Sequence, residues 1–128
     1  MVALVYTLLM KERRVIMRKL KDFDTEYSRF KGLLQYGKSL DNFYTFKYER
    51  TSNAYTDAMI QMVFYFKNNY GISIINYGYS WDDDRPFECA LMYDGNVAYD
   101  EVFEDVFGDC DIDECKALML YVSKKEDN

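Results

Sequence analysis

Two tight-turn sequences, each set between short runs of aromatic and β-branched residues, constrain most strongly how this chain folds. One is the Asn-Asn-Tyr-Gly stretch at residues 68–71, and the other is the pair Asp94 and Gly95. Asn, Asp and Gly accept the left-handed backbone that two-residue hairpin turns require. Hairpins join antiparallel strands directly, so the sequence predicts an α+β fold rather than an α/β fold.

Stretches with β-strand character flank both turns. Residues 59–67 and 72–77 surround the first turn, and residues 87–93 and 96–100 surround the second. A further aromatic run at residues 43–48 precedes them. Short runs rich in Phe, Tyr, Val and Ile and bounded by turn residues are typical of strands. We therefore expect an antiparallel sheet of four to five strands.

A long helix is predicted before the sheet. Apolar residues recur there at intervals of three and four, which is the spacing of one helix face. They are Ile16, Leu20, Phe23, Tyr27, Phe30 and Leu34. The pattern predicts a helix from about residue 12 to residue 36 that ends near Gly37, because glycine commonly follows the last helical turn.

A shorter helix is predicted at the C-terminal end of the chain. Asp111 stands three residues before Glu114, which is the spacing of a capping box. The helix would run to about Ser123, followed by Lys124 and Lys125, whose charges complement the C-terminal dipole. Its inward-facing residues would be Cys115, Leu118, Met119 and Val122.

The chain is long enough for one domain with a packed core. It has 128 residues, of which 49% are hydrophobic and 18% aromatic, a composition that argues against intrinsic disorder. We therefore expect a single domain over residues 1–128. One hypothesis places the start of the natural protein at Met17. Codons for Glu12-Arg13-Arg14 can contain the purine-rich sequence of a ribosome-binding site, and residues 1–16 would then be an N-terminal extension.

Several classes of chemistry are excluded or disfavoured by composition. The chain has no His, which excludes Ser-His-Asp catalysis and His-ligated zinc. Cys89, Cys110 and Cys115 are odd in number and lack a repeated metal spacing, so we expect buried thiols in a reducing cytoplasm. Phosphate-loop, dinucleotide-binding and nucleophile-elbow motifs are absent. The sequence therefore predicts a protein that is not an enzyme and needs no metal or cofactor.

No membrane association is expected either. The apolar run at residues 1–10 is too short to span a bilayer, which takes about 20 residues, and its charges follow it, unlike those of a signal peptide. We expect a cytoplasmic location, because residues 1–10 do not resemble a signal peptide and the cysteines are expected to be free thiols.

Charge divides the chain into two unlike halves. Residues 1–50 hold 11 Lys or Arg against 6 Asp or Glu, whereas residues 51–128 hold 5 against 16. Between Asp82 and Glu114 there are 13 acidic residues and a single cation, Arg85. Such a stretch repels nucleic acid phosphates and attracts a cationic partner. Direct nucleic-acid binding through the acidic half is therefore not expected.

The candidate partner-binding residues lie within or beside that acidic stretch. Three aromatic residues alternate just before an Asp-rich loop, and a second acidic cluster follows the second hairpin. An aromatic cluster beside carboxylates suits a Lys- or Arg-rich surface through cation–π contact and ion pairing. The candidates are Tyr77, Tyr79, Trp81, Asp82, Asp83, Asp84, Asp100, Glu101, Glu104 and Asp105.

Four short motifs resemble a group of small, uncharacterised bacteriophage proteins. They are Asn69-Tyr-Gly-Ile-Ser-Ile-Ile75, Phe87-Glu-Cys-Ala-Leu-Met-Tyr-Asp-Gly95, Tyr99-Asp100 and Asp105-Val-Phe-Gly108. The resemblance covers about residues 68–122 and carries no catalytic residue. It implies a phage gene product that acts in the cytoplasm of a bacterial host.

These observations lead to one functional prediction and two alternatives. We expect a non-enzymatic inhibitor that binds a host protein with a basic surface, of the anti-CRISPR or anti-restriction type, since a strongly acidic surface can occupy the groove of a nucleic-acid enzyme. One alternative is a virion structural or assembly protein that forms homo-oligomers. The other is a carboxylate–metal enzyme, for which the clustered acidic residues would be the ligands.

Overall fold

The structure is a computed structural model, and it describes residues 31–51, 59–76 and 84–127. Its elements are a helix α1, whose described part covers residues 31–39, six strands and a C-terminal helix α2. In chain order these are β1 (Phe43–Thr51), β2 (Met59–Phe66), β3 (Tyr70–Asn76), β4 (Phe87–Tyr93), β5 (Asn96–Ala98), β6 (Phe107–Cys110) and α2 (Ile112–Ser123). The predicted α+β class is confirmed.

One antiparallel sheet contains all six strands. The strands β1, β2, β3 and β4 follow one another in space as they do along the chain. The far side of β4 is shared, because β5 pairs with its C-terminal part from Leu91 to Tyr93 and β6 pairs near its beginning at Phe87 and Cys89. The segment that joins β5 to β6 therefore lies at the sheet edge opposite β1.

Most of the sequence-based strand and turn predictions are confirmed. Residues 87–93 form a strand with the predicted bounds, and Asp94 and Gly95 form its turn with positive φ angles of 50° and 82°. The first turn is tightened at Asn69, whose φ is 68°. The strand predicted at residues 96–100 is shorter, because Asp100 turns away from β4 and bonds to the following loop.

Strand β6 is a correction to the predicted sheet of four to five strands. The sequence predicts no strand at residues 107–110, since they hold Gly108 and Asp109 and are too few to show a periodic pattern. Asp109 has a positive φ of 51°, which breaks the strand pattern further. Pairing with β4, rather than local propensity, makes this segment a strand.

The core lies between one face of the sheet and the two helices. Because side chains alternate along a strand, Phe64, Ile72 and Leu91 on three neighbouring strands share this face, and all are fully buried. From the helices, Leu33 and Met119 are fully buried as well. Residues 32–127 of the described chain thus contain a hydrophobic core of their own.

Helix α2 begins with the predicted capping box. The Glu114 backbone N–H donates to the Asp111 carboxylate at 2.7 Å, and the Glu114 side chain accepts from the Asp111 N–H in return. The inward positions are Cys115, Met119 and Val122, whereas Leu118 is only half-buried, contrary to the expectation.

Helix α2 ends at Ser123, as predicted, and side chains from other segments of the chain bond to its last carbonyls. Asn68 and Asn42 donate side-chain N–H groups to the Val122 and Ser123 carbonyls at 2.9 and 2.8 Å. These amides satisfy helix-end carbonyls that would otherwise lack partners. The Lys125 ammonium group binds a carboxylate that is described below.

Gly37 lies inside α1 and does not end it, which corrects the predicted boundary near residue 37. The helix continues to residue 39, and its predicted beginning at residue 12 lies outside the described residues. A Cβ atom at Gly37 would lie 2.6 Å from Cδ1 of the Phe64 ring, closer still to its Cε1, and 2.9 Å from the Met119 methyl group. Glycine is needed here because the helix approaches the core closely.

Gly37→Ala is therefore expected to lower the free energy of unfolding by about 1–3 kcal/mol, the usual cost of overpacking. Gly32→Ala is a matched control in the same helix, since no atom lies within 4 Å of its would-be Cβ. That substitution should stabilise the protein by about 0.5–1 kcal/mol, because alanine has the better helix propensity. Urea unfolding of both variants measures the difference, and equal effects would contradict the packing role of Gly37.

Candidate functional site

Half of the predicted partner-binding residues lie outside the described residues. These are Tyr77, Tyr79, Trp81, Asp82 and Asp83. Asp84, at the end of the same loop, is exposed. The structure therefore positions the second acidic cluster, Asp100 to Asp105, and one residue of the first.

Arg85 connects the end of the Asp-rich loop to the beginning of α2. Its guanidinium group lies 2.5 Å from the Glu114 carboxylate and 3.8 Å from that of Asp111. The single cation of the acidic stretch is thus engaged by the two capping-box carboxylates. Asp84, its exposed neighbour, consequently lies near the beginning of α2.

Asp100 is largely but not fully buried, and its carboxylate is bonded within the fold. One oxygen accepts from the backbone N–H groups of Val102 and Phe103 at 2.9 and 2.5 Å. The other accepts from the Tyr121 hydroxyl at 2.7 Å and from the Lys125 ammonium group at 2.6 Å. Only 10% of the Asp100 side chain is exposed. Asp100 therefore contributes little to the exposed acidic surface.

These partners determine how the Asp100 carboxyl ionises. Burial favours its neutral form, but the hydrogen bonds from Lys125, Tyr121 and the two backbone N–H groups outweigh burial and lower its pKa to about 2. The Lys125 ammonium group is disfavoured by burial in the same way, yet its bond to Asp100 prevails and raises the pKa of Lys125. Both groups are therefore charged at neutral pH.

A short loop between β5 and β6 presents the remaining predicted carboxylates. We call residues 101–106 the acidic loop. Glu101, Glu104 and Asp105 are exposed, and they alternate with Val102 and Val106, which are each 38% exposed. Among the residues that the structure describes, the recorded ion pairs involve Asp100, Asp111 and Glu114, and none involves these three loop carboxylates.

The acidic loop is fixed by its own buried residue. Phe103 is fully buried and packs edge-on against Phe107, with ring centroids 5.1 Å apart. Asp100 bonds to the loop from one side, and its own N–H donates to the Phe103 carbonyl at 3.0 Å. The exposed side chains of the acidic loop are therefore carried by an ordered backbone, which reduces the entropy lost when a partner binds.

Exposed apolar residues extend this surface. Tyr99 is 64% exposed and Val97, on β5, is 53% exposed. Both precede the acidic loop along the same edge of the sheet. Together they form an acidic edge of mixed character, which consists of Val97, Tyr99, Glu101, Val102, Glu104, Asp105 and Val106.

Sequence reasoning missed two residues that shape this site. Phe103 lies within a run of acidic residues and has no periodic apolar neighbours, so nothing local marks it as core. Lys125 lies 25 residues from Asp100 along the chain, and only the packing of α2 brings them together. One local signal existed for Asp100. An Asp side chain commonly accepts a hydrogen bond from the backbone N–H two or three residues later, and this predicts that Asp100 holds the loop that follows it.

The three cysteines are buried, as expected, and they lie together. Cys89 and Cys115 place their sulfur atoms 3.6 Å apart, and Cys110 is buried beside them as a free thiol. Hydrogen bonding to Cys110, hydrogen bonding to Cys115 and burial together raise the pKa of Cys89. The same interaction with Cys89 lowers the pKa of Cys110, but only 1% of that residue is exposed. None of the three thiols is therefore accessible as a nucleophile.

Among the described residues there is neither a grouped set of metal ligands nor a membrane-spanning helix. Within residues 31–51, 59–76 and 84–127, no three Cys, Asp or Glu side chains are grouped so as to hold a metal ion. A groove of about 430 Å³ lies between Leu40 and Asn42 on one side and Leu120 and Lys124 on the other, and no residue of the acidic edge lines it. No described helix is long and apolar enough to cross a bilayer.

Comparisons with models of protein families, with curated proteins and with solved structures found no match. The functional argument therefore depends on the geometry of the acidic edge.

Proposed function

We propose that the protein binds a cationic partner protein through the acidic edge and blocks the surface that it covers. The single observation that carries this proposal is the exposure of Glu101, Glu104 and Asp105 on an ordered loop, with no described cation paired to them. Unpaired carboxylates on a fixed backbone attract a basic surface and need little reorganisation to meet it.

The apolar residues of the acidic edge favour a protein partner over a small cation. Tyr99, Val97 and Val102 expose hydrophobic area between the carboxylates. Protein interfaces combine hydrophobic area with charged groups. The hydrophobic area supplies affinity, and the charged groups supply specificity and raise the association rate. A basic groove that binds nucleic acid has this complementary character, because Lys and Arg side chains there present both aliphatic stems and charges.

Inhibition follows from competition with phosphates. A nucleic-acid enzyme uses its basic groove to neutralise the phosphate backbone. A protein that covers the groove with carboxylates excludes that backbone without any chemistry of its own. We therefore propose a host-defence nuclease or another nucleic-acid-binding defence component of a bacterium as the partner, in agreement with the phage resemblance of residues 68–122.

Affinity capture from a bacterial lysate tests this proposal when it uses two matched baits. One is the wild-type chain, and the other is Glu101→Lys/Glu104→Lys. A nucleic-acid-binding protein retained at low salt by the first bait alone, and inhibited by it in a nuclease or binding assay, is the expected result. Equal retention by both baits, or retention without inhibition, would contradict the proposal.

A second candidate, an assembly protein that forms homo-oligomers, is favoured by two aromatic residues at the other edge of the sheet. Tyr44 is 70% exposed and Tyr48 is 49% exposed on β1. Strands with exposed aromatic residues can associate with copies of themselves. Rings or filaments in sedimentation experiments would favour this candidate over inhibition.

A further inference from the structure

The Lys125 ammonium group lies in an enclosed site built from three separate parts of the chain. It donates a hydrogen bond to Asp100 at 2.6 Å, and it lies 4.9 Å from the Tyr70 ring centroid and 5.3 Å from that of Tyr121. The Lys125 side chain is 14% exposed. A carboxylate and two aromatic faces around one cation are the groups by which proteins recognise ammonium ligands.

The walls of this site are held in place by contacts that do not involve Lys125. Asp100 accepts two backbone N–H groups and the Tyr121 hydroxyl, as described above. The Tyr70 N–H donates to the Asn68 side chain at 3.0 Å, and its ring packs on Tyr93 with centroids 4.7 Å apart. The site is therefore preorganised, and it keeps its shape when the ammonium group is removed.

The backbone around Lys125 is also held independently of its side chain. Asn68 donates its amide N–H groups to the Val122 and Lys125 carbonyls at 2.9 and 2.8 Å. Farther along, Asp127 accepts from the Tyr93 hydroxyl at 2.8 Å. Shortening the Lys125 side chain thus empties the site without releasing the segment that carries it.

We infer that Asp100, Tyr70 and Tyr121 form a binding site for a primary alkylammonium group, and that Lys125 fills this site in cis. The carboxylate selects a ligand with N–H donors, and the two rings select a cation with a short alkyl stem. An added ligand competes with Lys125, whose backbone attachment makes it the preferred occupant in the intact chain. This site is distinct from the acidic edge and does not depend on the function proposed for that surface.

Rescue of Lys125→Ala by n-propylammonium chloride tests the inference. For a dissociation constant of about 10 mM, a ligand concentration of about 100 mM would raise the folding equilibrium constant about tenfold. Sodium chloride at the same ionic strength should not do so. Lys124→Ala, which removes an exposed neighbouring lysine, and the wild-type chain should gain nothing from the amine. Tetramethylammonium, which has no N–H donor, should be much less effective.

Two further measurements make the inference falsifiable. Adding Asp100→Asn to Lys125→Ala should abolish the rescue, and rescue that persists would overturn the proposal. If Lys125→Ala fails to fold, NMR of the wild-type chain tests the site instead, through the signal of the Lys125 ammonium group. A hydrogen-bonded Lys125 ammonium group gives a ¹H–¹⁵N signal protected from exchange, with side-chain protons shifted by the two rings, and an ammonium group that exchanges as fast as that of Lys124 would refute the enclosed site.

Discussion

Asp100→Asn is expected to lower the free energy of unfolding by about 3 kcal/mol, since it leaves the largely buried Lys125 ammonium group without its carboxylate. The amide can still accept the N–H groups of Val102 and Phe103, so the loss comes mainly from the charge. Asp105→Asn is the matched control. Asp105 is exposed and accepts a single N–H, from Val106, so its substitution should cost less than about 1 kcal/mol.

The pH dependence of stability separates this electrostatic role from simple packing. The pKa of Asp100 falls from its ordinary 3.8 to about 2 in the folded chain. Between the unfolded pKa of 3.8 and the folded pKa of about 2, Asp100 binds a proton in the unfolded chain but not in the folded chain. Stability is therefore lost as the pH falls through this range. We expect Asp100 to contribute about 2 kcal/mol that is present above about pH 5 and lost towards pH 2.

Urea unfolding of the wild-type chain and of Asp100→Asn across that range measures this contribution. The variant should lack it, so the two stability curves should converge as the pH falls. Parallel curves would show that the Asp100 carboxylate does not stabilise the fold through its charge.

The second large effect is expected on association with the partner. Glu101→Lys/Glu104→Lys should slow association about 10- to 100-fold at low salt, because electrostatic steering of the encounter is lost. The difference should shrink as salt rises, since screening weakens interactions between exposed charges. Stopped-flow or surface-based kinetics with the captured partner measure both rates.

Asp41→Lys/Glu49→Lys is the matched control for that experiment. It changes the net charge by the same amount, but Glu49 lies on β1 and Asp41 just before it, at the opposite edge of the sheet. This control should retain most of the wild-type association rate. Equal slowing by both pairs would mean that net charge, rather than the acidic edge, governs the encounter.

The parts of the fold that could be predicted from the sequence are those with local signals. The turn at Asp94 and Gly95 and the capping box of α2 depend on residues that are neighbours in the chain, and both are confirmed. Strand β6 and the burial of Phe103 depend on pairing and packing with distant segments. No pattern within such short stretches marks them.

The residues of the candidate site also differ in whether the sequence alone predicts their surroundings. Glu101, Glu104 and Asp105 belong to the acidic cluster that follows the second hairpin in sequence, and all three are exposed. Asp100 looks equivalent to them in sequence, yet it is largely buried, and Tyr121 and Lys125 of the C-terminal segment bond to it. Which member of a carboxylate cluster becomes structural is decided by tertiary neighbours, and these are not visible in a single sequence.

Carbodiimide labelling of carboxylates, with and without the captured partner, tests most directly whether the acidic edge is the binding surface. Mass spectrometry should show Glu101, Glu104 and Asp105 protected in the complex, while Asp41 and Glu49 react at unchanged rates. Unchanged labelling of the acidic loop, or protection confined to the β1 edge, would contradict the account.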